Sequence, residues 1–198
     1  MKISPIYRYP SLYTLCMKLL YGKYYNTRFE TIAKEIPDGV DLLDVCCGDC
    51  VLHAYIGNKT SYVGVDSNPY FVQMAQKRSI RVFQKNLLEE ELPMADYVVM
   101  LASLYQFIPF HKEIVDKLLR FARRKVLISE PVRNLADSSN PLLSFIARRA
   151  TNAGAGDNIY RFTQATFYPF FEKNYPTHIE KLSYIPGKRE CMVVLRKW

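Results

Sequence analysis

Histidine, tryptophan and glycine are scarce in this chain of 198 residues, which holds three, one and eight of them. The histidines, His53, His111 and His178, are scattered, and no second Cys/His pair stands at ligand spacing from Cys47 and Cys50. A zinc site of the finger or ribbon type is therefore not expected. No hydrophobic run is long enough to cross a bilayer. The greasiest segment is short and interrupted by Lys18, and it lacks a small-residue secretory cleavage site, so the chain is expected to be soluble, at most peripheral at a membrane. Repeats and low-complexity tracts are missing too, which sets aside solenoids and disordered linkers.

What remains has the composition of a globular protein, 49% hydrophobic and 23% charged, long enough for one well-filled domain and too short for two. The formal charge of +8 is unevenly spread. Residues 1–111 hold 11 basic and 11 acidic side chains, whereas residues 112–198 hold 16 and 8. A cationic half can attract nucleic acid, anionic headgroups or acidic small molecules, or simply be a solvated surface. Five cysteines, three of them within residues 46–50, suggest no disulfide framework and point to a reducing cytoplasm. Cys47-Gly48-Asp49-Cys50 is formally C-x-x-C and leaves a redox role open.

The stretch Val40-Asp41-Leu42-Leu43-Asp44-Val45-Cys46-Cys47-Gly48-Asp49-Cys50-Val51 organises the rest. Asp41 to Val45 reads as a strand, followed by a tight turn and a helix starting near Asp49. A strand that delivers its end to a small-residue turn and a helix N-terminus offers free backbone N–H groups to a polar ligand. A second apolar run, Ser61-Tyr62-Val63-Gly64-Val65, ends at Asp66, 22 residues beyond Asp44. An acidic residue about 20 positions on, at the tip of the next parallel strand, is placed to accept both ribose hydroxyls. The turn holds one glycine rather than G-x-G-x-x-G, which disfavours a pyrophosphate.

Asp44, Cys46, Cys47, Gly48 and Cys50 match in order the motif D-x-G-C-G-x-G, and the stretch resembles the first motif of class I S-adenosylmethionine-dependent methyltransferases. Cys46 and Cys50 stand where that family has glycine. Because cysteine carries a Cβ, the turn is expected to keep φ negative there. The resemblance implies a doubly wound, mostly parallel seven-stranded sheet with a reversed last strand. It implies S-adenosylmethionine as cofactor, S-adenosylhomocysteine as product, and Asp44, Cys46, Cys47, Gly48, Asp66, Ser67, Asn86, Leu87 and Leu101 as cofactor-binding residues. Asn86 stands where the family has an acidic residue, and its side-chain oxygen can still accept a proton from the adenine amine. Ser103-Leu104-Tyr105-Gln106 resembles the S-L-x-H-H of small-molecule methyltransferases, with Tyr105 the candidate for steering or deprotonating the acceptor. No metal is implied.

The flanking segments are read from periodicity. Ser11 is expected to cap a helix whose apolar face is Leu12, Leu15, Cys16, Leu19 and Leu20, and a second helix runs from about Tyr25 to Ile36. By resemblance, residues 1–39 form a lid that offers Tyr21, Tyr24, Tyr25 and Arg28. A helix is expected from Pro69, capped by Ser67 or Asn68, and another from Pro109 through Ile114, Leu118 and Phe121. Strands are expected at Arg81 to Gln84, Asp96 to Leu101 and Lys125 to Pro131. Glu89-Glu90-Glu91 reads as solvated loop. Residues 132–162 form a substrate-side insert in which Arg148, Arg149 and Arg161 can meet an anionic group or water. Thr163 caps a helix holding Phe167, Phe170 and Phe171, and a hairpin of Ile179 to Tyr184 with Cys191 to Leu195 closes a single domain spanning residues 1–198.

Alternating strands and helices gather the strand tips, with Tyr105, His111 and Glu130, around one crevice. Methyl transfer from a sulfonium needs positioning above all, so the sequence speaks to the donor more than to the acceptor. The segment after the fourth strand is not the N/D-P-P-Y/F of amino methyltransferases acting on flipped bases. A small-molecule or lipid-like acceptor is the preferred reading. An RNA methyltransferase, suggested by the cationic half, and a non-catalytic cofactor-binding relative, suggested by the two lost glycines and by Asn86, are the alternatives.

Overall fold

A computed structural model describes residues 5–58, 60–133 and 161–198. Readings that fall on residues 134–160, including the helical run 142–149 with Arg148 and Arg149, lie outside the described residues. The order of elements is α1 (Pro10–Tyr21), α2 (Tyr25–Ala33), β1 (Asp41–Val45), β2 (Ser61–Asp66), α3 (Pro69–Lys77), β3 (Val82–Gln84), β4 (Ala95–Leu101), α4 (His111–Phe121), β5 (Ala122–Pro131), α5 (Gln164–Asn174), β6 (Ile179–Tyr184) and β7 (Glu190–Arg196). The strands form one seven-stranded sheet in the order β3-β2-β1-β4-β5-β7-β6. β1 to β5 are parallel, and β7 lies antiparallel to both β5 and β6. This is the doubly wound sheet with a reversed last strand that the sequence implies.

The strands form because both faces of the sheet are covered, so an unbroken apolar run is buried whichever way each side chain points. Successive residues go to opposite layers. Leu43, Val45, Val98 and Met100 pack against α4 and α5, whereas Leu42, Val99, Leu127, Met192 and Val194 pack against α1, α2 and α3. Register levels the strand tips: Val45 pairs with Val65 on one side and with Met100 on the other. Chain order reverses at β1, with β2 on one flank and β4 on the other, and ligands in such sheets bind beyond the strand ends at that point.

Three readings need correction. No α-helix starts near Asp49; only a four-residue 3-10 turn, Val51–Ala54, follows the bend, because Cys50 takes a left-handed conformation with φ 55° and ψ 36° that a helix cannot start from. Ser11 caps nothing: α1 starts at Pro10, preceded by Tyr9 with no side-chain cap bond, since proline's fixed φ suits the first helical turn. The buried face of α1 is Cys16, Met17, Leu20 and Tyr21, and Leu12, Leu15 and Leu19 are exposed. By contrast, Asn68 accepts a hydrogen bond from Tyr70 N–H at the start of α3, and Thr163 forms a capping box with Thr166 at the start of α5.

The N-terminal helices are anchored by a buried ion pair that spans the chain. Arg28 on α2 donates to Glu190 on β7 through Nη2 at 2.8 Å and Nε at 3.2 Å. Tyr21 hydroxyl donates to the same carboxylate at 2.6 Å, and Arg28 and Glu190 are only 4% and 1% exposed. Removing one member of such a pair leaves an uncompensated buried charge, at about 3–5 kcal/mol. Arg28→Met is expected to lower unfolding stability by about that much in urea titration, and the double variant Arg28→Met/Glu190→Leu to recover most of it. A double variant no better than the single one would show that the pair itself, not the orphaned charge, carries the stability.

Candidate active site

The bend after β1 brings three residues with positive φ into five positions: Cys46 at 57°, Gly48 at 52° and Cys50 at 55°. The expectation that the two cysteines keep φ negative is therefore overturned. Left-handed backbone costs an L-residue roughly 1–2 kcal/mol, and hydrogen bonds to β2 hold it in place. Cys47 N–H donates to Val65 O at 3.1 Å, and Gly48 N–H donates to Asp66 Oδ2 at 2.8 Å. Close packing depends on a glycine in β2, because a Cβ on Gly64 would lie 2.8 Å from Cys47 Sγ. Cys47 and Cys50 Sγ are 3.5 Å apart, and every described cysteine is free.

Asp66 thus ends β2 against the bend. Its Oδ1 accepts from Asn68 N–H at 2.8 Å. The Ser67 N–H also bears on this carboxylate, so of its four acceptor sites one remains for a ligand hydroxyl. Burial pushes its pKa up, and the N–H groups of Asn68, Gly48 and Ser67 oppose that.

Two adjoining cavities open at the strand tips on either side of the bend. The larger, about 240 Å³, is lined by Cys46, Gly48, Asp66, Ser67, Asn86, Leu87 and Tyr105 from among the residues expected at the site. The smaller, about 60 Å³, takes Asp44, Cys47 and Leu101, and shares Cys46 and Gly48 with the larger. Only the larger has room for more than the end of a ligand. His111 lies outside both, its ring 4.5 Å from that of Phe170. Sequence reading missed Tyr7, Tyr13 and Met17, which line the larger cavity from the N-terminal segment, and Arg133 and Phe162, which line it from beyond β5. Of the four lid residues the resemblance offers, only Tyr21 lines the larger cavity; Tyr25 and Arg28 line the smaller. Tyr24 instead packs on Gly187.

Asp49, the unassigned position of the motif, is also at the site. It is 8% exposed, accepts from the Thr14 hydroxyl at 2.6 Å and lines the smaller cavity beside Asp44. Asp44 accepts from Tyr62 hydroxyl at 2.8 Å, and burial pushes its pKa up to about 7. No local pattern in the sequence could have paired Thr14 with Asp49.

On the β4 side, Tyr105 sits in the 3-10 turn Leu104–Phe107 with the Arg161 guanidinium 3.7 Å from its ring centroid. Burial raises its pKa, with Arg161 and Gln106 opposing, which suits an orienting hydroxyl better than a base at neutral pH. Glu130, at the tip of β5, is fully buried and accepts from Leu104 N–H at 2.5 Å, fixing that turn. Its Oε2 has no hydrogen-bond partner among the described residues. Burial pushes the pKa of Glu130 up to about 8, with Glu190 adding to the rise, so it is held as a neutral acid.

A family model described as "Methionine biosynthesis protein MetW" matches residues 26–135. No curated protein matches the sequence. Among solved structures, a putative methyltransferase of Haloferax volcanii, in complex with the Trm112 methyltransferase activator, has TM-score 0.68 at 10% identity, covering 99% of both chains. A SAM-dependent methyltransferase from Aquifex aeolicus has TM-score 0.66 at 15% identity, over 96% of this chain and 98% of its own. Magnesium protoporphyrin IX methyltransferase from Synechocystis PCC 6803, with bound SAH, has TM-score 0.62 at 13% identity, over 98% of this chain and 97% of its own. At such identities the likeness is one of fold.

Two outcomes follow from the site's geometry. Cys46→Val puts a β-branched side chain at φ 57°, where it is a steric outlier, and is expected to lose about 2 kcal/mol in urea unfolding, with Cys46→Gly tolerated. Unchanged stability of Cys46→Val would mean the bend can relax to negative φ. The folded protein also binds the proton of Glu130 more tightly than the unfolded chain does. The stability this confers is complete below about pH 4 and is lost as pH rises toward about 8. Glu130→Gln should therefore flatten the decline in stability between pH 5 and pH 8 by an amount on the order of a few kcal/mol. A variant with the same pH slope as the parent would mean that Glu130 titrates normally.

Proposed function

The chain belongs to the MetW family, and starting from that membership and the cavity at the strand tips, we propose that it is an S-adenosylmethionine-dependent methyltransferase acting on a small, largely apolar acceptor. The observation that carries this is Asp66: a carboxylate at the tip of β2, fastened to the bend through Gly48 and lining the larger cavity, where it can accept from a ribose hydroxyl. Asn86 and Leu87 line the same cavity one strand further out, where adenine would lie. Asn86 Oδ1 accepts from Leu88 N–H at 3.1 Å and keeps a lone pair for the adenine amine. The amino-acid end of the donor would pass the bend toward Asp44 and Asp49, whose carboxyl groups suit an ammonium.

The two cysteines in the bend, together with Asn86, motivated the alternative of a non-catalytic relative. That objection weakens, because both adopt the left-handed backbone that the missing glycines would have supplied. The acceptor would then occupy the part of the cavity walled by Tyr7, Tyr13, Tyr105, Phe107 and Phe162, under a lid made by α1 and the turn Pro5–Arg8. Asn68 Nδ2 ties that turn down through Tyr7 O at 3.0 Å. An aromatic wall favours a flat or amphiphilic acceptor over a highly hydrated one. Tyr105 would steer the attacking atom. Transfer is an in-line displacement in which the acceptor's lone pair takes the methyl carbon as the carbon–sulfur bond breaks, leaving S-adenosylhomocysteine.

In isothermal titration with S-adenosylhomocysteine, Asp66→Ala is expected to bind about 100-fold more weakly than the parent, the loss of a hydrogen bond to a charged group. Asp66→Asn keeps an acceptor for Gly48 and should hold the fold, checked by thermal melting, while still losing affinity. Full affinity in both variants would remove the reading.

A further inference from the structure

Helix α1 is apolar on two sides, and among the described residues only one of them is packed against the fold. Its inner side places Met17, Leu20 and Tyr21 on the cavity. On its outer side Leu12, Leu15 and Leu19, at helical spacing i, i+3 and i+7, are 43%, 53% and 59% exposed, and Tyr9 at the helix entrance is 64% exposed. Three leucines aligned on one surface helix differ from isolated exposed apolar residues, which need no explanation. The question is what such a stripe meets.

Charge around it gives the answer. Residues 1–29 carry five basic side chains and no acidic one. Lys18, on α1 itself, and Lys23, just past its end, are exposed. The β6–β7 turn adds more: Gly187 packs against the Tyr24 ring, Arg189 Nη1 donates to Leu20 O at 2.6 Å, and Lys188 between them is exposed. Asp49 is engaged by Thr14 and Glu190 by Arg28 and Tyr21. A leucine stripe beside a collar of lysines and an arginine, with no opposing carboxylate on the helix, is the pattern of a helix lying in a lipid interface with cations at headgroup level.

We infer that the outer face of α1 is a docking surface for an anionic phospholipid membrane. Leu12, Leu15 and Leu19 enter the acyl boundary, while Lys18, Lys23, Lys188 and Arg189 meet the headgroup phosphates. The same helix walls the cavity, so docking would set the cavity beside the bilayer, where an amphiphilic acceptor is concentrated. The inference goes beyond methyl transfer and does not depend on it, because docking is measured without donor.

The test is co-sedimentation of the full chain, without donor, with vesicles of phosphatidylcholine alone and of phosphatidylcholine mixed with phosphatidylglycerol. Binding is expected to the mixed vesicles and to weaken at high salt. Lys18→Gln and Lys23→Gln should each weaken it about fivefold, and Leu15→Gln/Leu19→Gln at least about tenfold. These side chains are exposed and none lines either cavity, so melting temperature and S-adenosylhomocysteine affinity should stay unchanged, which separates failed docking from a failed donor site. No binding, equal binding to neutral vesicles, or leucine variants that bind as the parent does would each overturn the inference. So would sedimentation equilibrium showing a dimer that the leucine substitutions dissociate, since a second copy would then cover this face.

Discussion

The hydrogen bond from Gly48 N–H to Asp66 is the constraint on which the site depends. It joins the tips of the two strands on one side of the switch point and stabilises a bend whose φ values would otherwise be costly at Cys46 and Cys50. It also fixes which way the Asp66 carboxylate faces. A side chain that must satisfy the bend with one lone pair cannot swing into solvent, so its remaining acceptor site stays aimed beyond the strand ends. Fold stability and ligand geometry are coupled through that one residue, and the bend needs no α-helix after it to be well defined.

The rest of the molecule supplies walls around this point. The buried Arg28–Glu190 pair and Tyr21 tie α1 and α2 to β7, which holds the N-terminal segment over the strand tips. Glu130 fastens the turn after β4 from beneath, and Tyr105 with Arg161 closes the far side. The result is a chamber with Tyr7, Tyr13, Tyr105 and Phe162 among its walls and Asp66 at the bend.

The sheet was legible in the sequence because each inner strand is buried on both faces and so reads as a continuous apolar run, and strands alternating with helices imply a doubly wound parallel sheet; the reversed last strand was implied by the family resemblance. The pairing of bend and Asp66 was legible from spacing alone. The conformation of the bend was not. Cysteine's intrinsic preference argues for negative φ, and bonds to β2, formed only in the tertiary structure, override it. Helix α1 misled for a different reason: with apolar residues nearly all round, periodicity gives no unique inner face, and the side chosen by Met17 and Tyr21 is set by the cavity and Glu190. Tyr7, Thr14 and Arg28 act through partners 35 to 162 residues away, distances over which no local pattern reports.

A crystal structure with S-adenosylhomocysteine bound is the most direct measurement. A ribose hydroxyl is expected within hydrogen-bond distance of Asp66, with Gly48 N–H still on Oδ2 and adenine between Asn86 and Leu87. A nucleoside seated elsewhere, with Asp66 holding only Gly48 and Asn68, would contradict the assignment of this bend as the donor site.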